Sequence, residues 1–456
     1  MSLEIIVLAA GQGKRMHSTL PKVLHVLGDR PLLSHVIRAA RELGPSAIHV
    51  VYGHGGERIR AAFGTESLRW AHQAEQLGTG HAVAQAMPNV ADESQVLILY
   101  GDVPLISPAT LRDLISQAGA HRLGLLTAEL TDPQGYGRII RDGAGRVARI
   151  VEQKDATPEQ AAVREVNTGI LTAPASRLRG WLGRLENRNA QREYYLTDVV
   201  GMAVTDGVEI ATHRPRAVWE ILGVNSKREL AELERMHQKT KAQALLDQGV
   251  TLRDPARIDV RGELTCGRDV VIDVNVIFEG SVTLGDGVTI GPNNVIRDTI
   301  VGKTSRVYAN CVIEEAEIGV DCRVGPFARV RPGSRLADRA HVGNFVEIKN
   351  SVIGEGSKAN HLTYVGDSSV GKNVNIGAGT ITANYDGANK HRTDIRDNAS
   401  IGSNVVLVAP VTIGDGATIG AGSVITKDAP AGELTLARGK QTTIAGWKRP
   451  SKKPQE

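Results

Sequence analysis

The sequence predicts an α/β domain with a Rossmann-like, mainly parallel sheet, then a long linking helix, then a parallel β-helix of hexapeptide repeats. Up to about residue 225, apolar strand-like runs alternate with helical stretches, which is the pattern of an α/β domain. Beyond about residue 255 an apolar residue recurs every six positions, which is the pattern of a parallel β-helix. We therefore expect domains over residues 1–226 and 250–456, with the linking helix over 227–249.

The expected sheet of the first domain rests on three buried strands, which are the apolar runs 4–9, 47–51 and 95–100. Residues 31–43 and 108–118 have the pattern of helices between the strands. This alternation predicts that most strands run parallel, because a helix then connects each strand with the next.

A helical pattern joins the two domains. Ser226, with Glu229 three residues later, forms the pattern of a capping box, and Gly249 followed by Pro255 marks the end of the helix. The positions that recur at helical spacing between them are Leu230, Leu233, His237, Thr240, Ala244 and Leu245. The alternative interpretation is a solvated linker with no further role.

The β-helix is predicted by a long series of apolar residues that are six, or occasionally five, positions apart. Branched residues also dominate this half, and they favour strands. Three six-residue units make one coil of about 18 residues, and coils stack about 4.8 Å apart. The polar stretch 384–393 interrupts the series and is expected to form an exposed loop. The series consists of Leu284, Ile290, Ile296, Val301, Val307, Ile313, Ile318, Val324, Val330, Leu336, Val342, Ile348, Ile353, Ala359, Val365, Val370 and Ile376, then Ile395, Ile401, Leu407, Ile413, Ile419 and Ile425.

The composition excludes several classes of function. A net charge of +4 and 4% aromatic residues argue against nucleic acid as a partner. The chain has neither an apolar run of about 18 residues nor the pattern of a signal peptide, so we expect no membrane partner and a cytoplasmic location. The three cysteines, Cys266, Cys311 and Cys322, predict no disulfide framework and are interpreted as small buried hydrophobic residues.

A glycine-rich loop follows the first predicted strand. Gly11 and Gly13 would let backbone N–H groups approach an anion, and the start of a helix would add its dipole. Met16 occupies the third glycine position of the dinucleotide fingerprint, so that motif is excluded. Positive charge comes from Lys14, Arg15 and Lys22. The alternative is a simple tight turn.

Asp102 ends the third predicted strand, after Tyr100 and Gly101. Ligands of open α/β sheets bind beyond the carboxyl ends of the strands, where a carboxylate is well placed to hold Mg²⁺. The alternative is an aspartate that caps the next turn. Further polar groups near strand ends are Gln73, Gly78, Thr79, Glu152, Asn167 and Asn225.

Together with the loop at residues 8–16, Pro21 and Gly137, these positions resemble the sugar-nucleotide pyrophosphorylases. With the hexapeptide half attached, the chain resembles, over about residues 3–445, the bacterial bifunctional N-acetylglucosamine-1-phosphate uridyltransferases/glucosamine-1-phosphate acetyltransferases. It departs from them at Lys14, where that family usually has a small threonine, which puts the phosphate affinity of the loop in question.

The resemblance implies roles for the first site. The residues that it places around UTP and UDP-N-acetylglucosamine are Leu8, Ala9, Ala10, Gly11, Lys22, Gln73, Gly78, Thr79, Tyr100, Gly101, Asp102, Gly137, Glu152, Asn167 and Asn225. Of these, the ones expected to read the uracil are Gln73, Gly78 and Thr79, and those expected to hold the sugar are Gly137, Glu152 and Asn167. Asp102 and Asn225 would ligate Mg²⁺, while Arg15 and Lys22 would neutralise the leaving pyrophosphate.

Polar residues on the predicted β-helix mark a second site. Arg331 and Lys349 are 18 residues apart, one coil, so they stack on one face. Two cations at that spacing repel unless an anion, such as a sugar phosphate, lies between them. His361 lies 12 residues beyond Lys349 on another face, and would reach the same site across a groove between two chains. The alternative for a lone exposed histidine is a solvated residue without a role.

The resemblance assigns acetyl transfer to this second site. His361 would be the general base, since a histidine with an ordinary pKa of about 6.5 suits removal of a proton from an amine at neutral pH. The residues expected to bind glucosamine-1-phosphate are Arg331, Lys349, Tyr364 and Asn375, with Asn384 and Tyr385. Those expected along acetyl-CoA are Ala378, Asn384, Tyr385, Ser403, Ala421 and Arg438. The resemblance further implies a left-handed coil and a homotrimer whose acetyl sites are shared between subunits.

We expect acetyl transfer from acetyl-CoA to glucosamine-1-phosphate, followed by uridylyl transfer from UTP to N-acetylglucosamine-1-phosphate. The main alternative is a pyrophosphorylase whose β-helix is structural or regulatory, and a third is a non-enzymatic trimeric scaffold. The co-occurrence of Arg331, Lys349, His361 and Tyr364 discriminates against both, because a purely structural coil has no need of them. The basic tail, with Lys448, Arg449, Lys452 and Lys453, would either help to hold CoA phosphates or remain solvated.

Overall fold

The computed structural model describes residues 1–452. The chain divides into two compact units, the first over Met1–His237 and the second from Gln238 onward. None of the helices in the described residues combines the length and the hydropathy that a membrane span requires.

The first unit is built on a nine-stranded sheet. Its strands are β1 (Leu3–Ala9), β4 (Ala47–Tyr52), β5 (Arg69–His72), β6 (Gln95–Tyr100), β7 (Leu123–Glu129), β8 (Arg138–Arg141), β9 (Val147–Val151), β10 (Glu165–Pro174) and β11 (Ile210–His213), while the two-residue strands β2 (Val26–Leu27) and β3 (Arg30–Pro31) pair separately. The order is β11-β7-β10-β6-β1-β4-β5, with the β8–β9 hairpin paired to β10. Strand β1 runs parallel to β4 and β6, whereas β10 is antiparallel to its neighbours. The predicted Rossmann-like, mainly parallel sheet is confirmed.

Helices and apolar residues cover the sheet. The helices are α1 (Leu32–Arg41), α2 (Gly56–Ala62), α3 (Thr79–Ala86), α4 (Pro108–Ala118), α5 (Pro158–Ala161), α6 (Ala175–Leu182) and α7 (Asp198–Thr205). Alternate residues of β1 point to opposite sides, so Ile5 and Ile6 belong to different hydrophobic clusters. Helix α1 is shorter than expected because Gly44, in a left-handed conformation, turns the chain after it.

The glycine-rich loop after β1 corrects one expectation. The helix start predicted there is only a 3₁₀ turn, Lys14–Met16, flanked by Gly13 and His17 in left-handed conformations. A turn of three residues has no significant macrodipole, so any anion bound here depends on backbone N–H groups and on lysine and arginine side chains.

The linking helix is α8 (Lys227–Asp247). Ser226 caps it through its hydroxyl, which accepts from the Glu229 N–H (3.3 Å). Glu229 does not complete the predicted capping box, because its carboxylate accepts from the Asn225 N–H (2.6 Å) instead of the Ser226 N–H. Gly249 ends the helix as expected, since its N–H bonds to Leu246 and the next N–H, of Val250, bonds to Leu245.

The second unit is a parallel β-helix in which each coil contributes strands to three faces. One sheet has eleven strands: Thr251–Leu252, Val271–Ile272, Thr289–Ile290, Arg306–Val307, Arg323–Val324, His341–Asn344, Lys358–His361, Asn375–Ile376, Ser400–Ile401, Thr418–Ile419 and Leu434–Thr435. The other has seventeen: Ile258–Cys266, Val276–Leu284, Val295–Arg297, Ile300–Val301, Val312–Glu314, Ala316–Ile318, Arg329–Val330, Ser334–Leu336, Glu347–Lys349, Val352–Ile353, Tyr364–Gly366, Ser368–Val370, Ile381–Ala383, Thr393–Ile395, Val406–Val408, Val411–Ile413 and Val424–Ile425.

Every residue of the predicted six-residue series lies in the interior of the β-helix, at most 4% exposed. Paired strands are 17 or 18 positions apart, as in Thr289 with Arg306 and Arg323 with His341. The polar loop lengthens one coil, in which Asn375 pairs with Ser400. Thr382 occupies the interior position at which the apolar series is interrupted. Its hydroxyl can be buried there because it accepts a hydrogen bond from the Gly366 N–H (2.8 Å).

The three cysteines have free thiols, and Cys311 and Cys322 are buried in the core of the β-helix. Burial raises the pKa of Cys311 to about 11. These thiols are therefore protonated and unreactive at neutral pH.

Candidate active sites

A cleft of about 260 Å³ opens in the first unit, beyond the carboxyl ends of β1, β5 and β6. The predicted site residues that line it are Leu8, Ala9, Ala10, Gly11, Lys22, Gln73, Gly78, Thr79, Tyr100 and Asp102. The structure adds Val23, Gln76, Ala82 and Glu193. Gln76 lies between the predicted residues Gln73 and Gly78 but was not itself predicted, and Glu193 had no signal in the sequence.

Lys22 joins the two residues expected to hold a metal ion. Its ammonium donates to Asn225 Oδ1 (3.1 Å) and contacts Asp102 Oδ2. The Val224 N–H also donates to the Asp102 carbonyl (2.9 Å), which brings the two segments together. A carboxylate and an amide oxygen that meet at one cation form a donor set suited to Mg²⁺, which needs few protein ligands when phosphates supply the others.

Gln73 is a buried side chain at the end of β5 that faces the cleft. Its Nε2 donates to the Gly78 carbonyl (3.1 Å) and lies 3.0 Å from His81 Nδ1. Gly78 has φ 115°, and a Cβ there would lie 2.6 Å from the Tyr194 carbonyl oxygen, so only glycine fits. Thr79 begins α3 and accepts from the Leu196 N–H (3.1 Å).

The three residues expected to hold the sugar lie together. The Asn167 N–H donates to the Gly137 carbonyl (2.8 Å), and a Cβ on Gly137 would lie 3.4 Å from Glu152 Oε1. Asn167 marks an irregularity in the pairing of β10, a feature that often re-aims side chains beside active sites. Burial raises the pKa of Glu152, although a hydrogen bond from the Thr197 hydroxyl (3.0 Å) opposes that effect.

Tyr100 connects this group with the cleft. Burial raises the pKa of its phenol, and the charges of Glu152 and Asp102 raise it further. Gly169 leaves room for the ring, since a Cβ there would lie 2.6 Å from a ring carbon. Gly101, the next residue, donates its N–H to the Leu8 carbonyl (2.9 Å) and so joins β6 to β1.

Arg15 is not brought into the cleft. It lies exposed in the 3₁₀ turn and is absent from the cleft lining, as is Lys14.

On the β-helix, Arg331 and Lys349 stack as predicted, because the Arg331 N–H donates to the carbonyl of Ile348 (2.8 Å). The expectation that only an anion could relieve their repulsion needs correction. Arg331 pairs with Glu347 (2.8 Å) and Lys349 with Asp367 (3.5 Å). Neither carboxylate was predicted from the sequence.

The polar loop packs against this charged group. Asn384 Nδ2 contacts the Asp367 carboxylate and lies 3.4 Å from the Tyr364 hydroxyl. Burial would raise the pKa of Asp367, but hydrogen bonds from Asn350 and Asn384 and the charge of Lys349 hold it below its ordinary value. The loop also supplies Lys390, whose ammonium lies beside that of Lys349 and therefore has a lowered pKa.

His361 is exposed at the end of a strand of the eleven-stranded sheet. Its Nδ1 lies 2.8 Å from Asn344 Oδ1, on the neighbouring strand. Because an amide oxygen only accepts, this contact assigns the proton to Nδ1 and leaves Nε2 as an acceptor. Among residues 1–452, no hydrogen bond or ion pair joins His361 to Arg331 or Lys349, which lie at strands of the other sheet.

The remaining predicted residues follow one another along the coils. Asn375, Ser403, Ala421 and Arg438 are exposed. Ala378 accepts from the Asn404 N–H (2.7 Å), and the carbonyl of Ala421 accepts from Arg438 (2.8 Å). Tyr385 is exposed in the polar loop. In the basic tail Lys448, Arg449 and Lys452 are exposed, while Lys453 lies outside the described residues.

The chain matches the family model of the MobA-like NTP transferase domain over residues 5–253 and that of the bacterial transferase hexapeptide (six repeats) over residues 392–427. It is 60% identical over 451 residues to the "Bifunctional protein GlmU" of Aromatoleum aromaticum, covering 99% of both chains. It is 62% identical over 450 residues to that of an Azoarcus species (99% of this chain, 100% of the relative).

A third relative, the "Bifunctional protein GlmU" of Cupriavidus pinatubonensis, is 59% identical over 454 residues and 100% of both chains. Such identity over nearly the whole length of each chain covers both units of the structure. It confirms the resemblance seen in the motifs of the sequence, and the chain therefore belongs to the family of bifunctional GlmU proteins.

Proposed function

We propose that the protein makes UDP-N-acetylglucosamine with two separate sites. Residues 250–456 transfer the acetyl group of acetyl-CoA to glucosamine-1-phosphate, and residues 1–226 then transfer a uridylyl group from UTP to N-acetylglucosamine-1-phosphate, with 227–249 as the linking helix. The observation that carries this proposal is the meeting of Asp102 and Asn225 at Lys22, which lines the cleft, together with the His361–Asn344 pair on the β-helix.

In the first site, an oxygen of the sugar phosphate attacks the α-phosphorus of UTP in line, and pyrophosphate leaves. The ammonium of Lys22 lies at the cleft wall beside Asp102, where it neutralises negative charge on the phosphates. The backbone of residues 8–11 frames the triphosphate. Asp102 and Asn225 would hold Mg²⁺, which supplies further charge neutralisation when bound.

Recognition of the two substrates follows from the buried amides and carboxylate. The Gln73 side chain is held by Gly78, so its oxygen is oriented toward the base edge of uracil. Glu152 and Asn167 are likewise held, by Thr197 and by the backbone of Gly169, and they present oxygens to sugar hydroxyls.

In the second site, the amine nitrogen of glucosamine-1-phosphate forms a bond to the acetyl carbon, and His361 Nε2 takes the proton that this nitrogen loses. The carbon–sulfur bond breaks, and CoA leaves as its thiolate. Asn344 holds the imidazole in the required tautomer. Arg331, Lys349 and Lys390 would bind the phosphate. Ala378, Ser403, Ala421 and Arg438, which follow one another along the coils, would lie along acetyl-CoA.

A homotrimer would complete the second site. Phe327 and Phe345 stack at a corner of the β-helix, with ring centroids 5.1 Å apart, and remain about half exposed. Leu362 continues this corner and lies next to His361. All three residues have left-handed φ angles, a conformation that favours asparagine or glycine over bulky apolar residues. The exposed apolar side chains at this corner would be buried by a second copy of the chain. We place the trimer in the cytoplasm, where thiols stay reduced.

The test is a pair of assays on wild type and His361→Ala. Thiol release from acetyl-CoA with glucosamine-1-phosphate reports the second site, and pyrophosphate release from UTP with N-acetylglucosamine-1-phosphate reports the first. We expect the variant to lose thiol release alone. A wild-type protein that releases pyrophosphate but never thiol would overturn the acetyl-transfer proposal and leave the β-helix with a structural or regulatory role.

A further inference from the structure

A column of basic residues, two arginines, a histidine and a lysine, runs along the eleven-stranded sheet of the β-helix. Arg306 pairs in register with Arg323, Arg323 with His341, and His341 with Lys358. We call these four residues the basic column. Successive members are one strand spacing apart, about 4.8 Å along the stack, so the charges of Arg306 and Arg323 repel each other.

In the described part of the chain, no carboxylate forms an ion pair with the basic column. Among residues 1–452, no ion pair or hydrogen bond engages the side chains of Arg306, Arg323 and Lys358. The seventeen-stranded sheet treats stacked charges differently. There Arg297 pairs with Glu314 (3.2 Å) and Arg329 pairs with the same carboxylate (3.1 Å), so opposite charges alternate from coil to coil. The fold therefore accommodates alternating charges, and the basic column departs from that pattern.

The basic column lines a groove of about 650 Å³. Asp321, the one carboxylate in the lining, accepts a hydrogen bond from the Thr304 hydroxyl, and Arg339 is already paired with Glu355. The imidazole of His341 is the one ring in the lining, which holds no phenylalanine, tyrosine, tryptophan or large aliphatic side chain. A macromolecular interface needs an apolar centre and a base needs a stacking surface, so this groove suits a compact anion better than either.

The position of the groove relates it to the second active site. His341 and Asn344 share one strand, and Lys358 and His361 share the next. The pairing of these two strands therefore brings the basic column next to the proposed base. The pKa of His341 is lowered by burial and then by the charges of Arg323, Lys358 and His361. The residues expected along acetyl-CoA lie on later coils, so they leave this groove free.

We propose that the basic column is a binding site for a compact phosphate-bearing anion, separate from the Arg331–Lys349 pair. Guanidinium groups match phosphate oxygens in bidentate geometry, and the two arginines on successive coils present two such groups to one groove. If the proposed function holds, the natural ligand is the sugar phosphate of the adjacent acetyl site. The site raises the local concentration of that substrate.

The test measures binding of inorganic phosphate and of glucosamine-1-phosphate to the full-length protein by calorimetry at low ionic strength. The variant is the double substitution Arg306→Gln with Arg323→Gln. The matched control is Arg297→Gln with Arg329→Gln, two arginines of the alternating sheet. Wild type and control are expected to bind two phosphates per chain, and the variant to lose at least tenfold in affinity at one of them. Circular dichroism melting curves verify that all three proteins are folded.

Steady-state acetyl transfer distinguishes the two sources of phosphate. A KM for glucosamine-1-phosphate that rises five- to tenfold in the double variant, with kcat unchanged, identifies the sugar phosphate as ligand. An unchanged KM, with the inorganic phosphate site lost, identifies the free anion. Loss of a phosphate site in the variant supports the basic column even if wild type transfers no acetyl group, which would defeat only the proposed function.

Two results would overturn the proposal. One is equal phosphate stoichiometry and affinity in the double variant and wild type. The other is a double variant that keeps both phosphate sites but dissociates in sedimentation velocity, since the basic column would then be a contact between copies of the chain.

Discussion

The α/β unit buries or half-buries most of its candidate site residues, whereas the β-helix leaves most of its own exposed. Gln73 and Asn167 are 3% and 8% exposed, and internal hydrogen bonds orient each of them. His361 and Asn375 lie on the surface of the β-helix, and the imidazole of His361 is held by the side chain of Asn344. The first site is thus largely organised within one chain, while the second has side chains that await a substrate or a second copy.

The two regions also treat carboxylates differently. Glu152 lies where burial outweighs its hydrogen bond, so its pKa is raised. Asp367 accepts from Asn350 (2.7 Å) and is paired with Lys349, so its pKa is lowered despite burial. Glu152 is therefore suited to accept hydrogen bonds from the hydroxyl groups of a ligand, whereas Asp367 holds the cationic side chain beside it in place.

The largest expected effect separates the two sites completely. Asp102→Asn keeps the shape of the side chain but removes the charge that faces Lys22, so we expect pyrophosphate release to fall 10²- to 10³-fold. Thiol release should remain within about twofold of wild type, since Asp102 lies in the other unit. The control is Asp113→Asn, an exposed aspartate on α4. Equal loss of both activities would show that the two sites are not independent.

A smaller effect tests the role of Asn344 as a positioning residue. Asn344→Ala removes the acceptor at His361 Nδ1, and we expect kcat of thiol release to fall about 10- to 100-fold. The KM for glucosamine-1-phosphate should stay unchanged, because Asn344 does not hold the phosphate. Asn373→Ala, on an exposed corner of the same β-helix, is the matched control. If KM rises while kcat is kept, Asn344 binds substrate instead.

A substitution in the core of the β-helix tests how strictly its interior is apolar. Thr382→Val restores the apolar series but removes the acceptor of the buried Gly366 N–H. We expect the free energy of unfolding in urea to fall by about 1–3 kcal/mol. Thr418→Val, on the exposed side of a strand, should change it by less than about 0.5 kcal/mol. A more stable Thr382→Val variant would contradict the importance of this hydrogen bond.

The smallest effects concern the two carboxylates and have opposite signs. Because the pKa of Glu152 is raised in the fold, its ionisation costs stability above its unfolded pKa, so Glu152→Gln should slightly stabilise the protein at pH 7. Because the pKa of Asp367 is lowered, its contribution is present above the unfolded pKa and lost as pH falls, so Asp367→Asn should destabilise the protein at pH 7.

Thermal melting at pH 7 and pH 3 measures both variants. Both shifts should shrink at pH 3. Glu152 is then protonated in both states, and the unfolded chain takes up a proton at Asp367, which removes part of the stability that its folded carboxylate contributes. Shifts of the same sign at pH 7 would show that the contrast between the two carboxylates is wrong.

Much of the fold could be predicted because its patterns are local. Strand Gln95–Tyr100 and helix Pro108–Ala118 have the predicted bounds, and Gly249 ends α8 as expected. The series of six identified every coil between Leu284 and Ile376 because one inward residue per unit is a strong constraint. Prediction failed where the chain departs from local patterns. The helix expected after Gly13 is a 3₁₀ turn, and the Glu229 carboxylate accepts from the Asn225 N–H instead of the Ser226 N–H.

The candidate sites divide in the same way. The sequence alone determined the two kinds of fold, the register that stacks Arg331 on Lys349, and the set of residues that meet at the cleft, because strand ends and coil length follow from spacing. Only the tertiary structure decided which groups compensate the charges of the site residues. At the second site these groups are Glu347, Asp367 and Lys390. At the first site Lys22 lies between Asp102 and Asn225. These contacts join segments that are distant in the sequence, and their spacing does not predict that they meet.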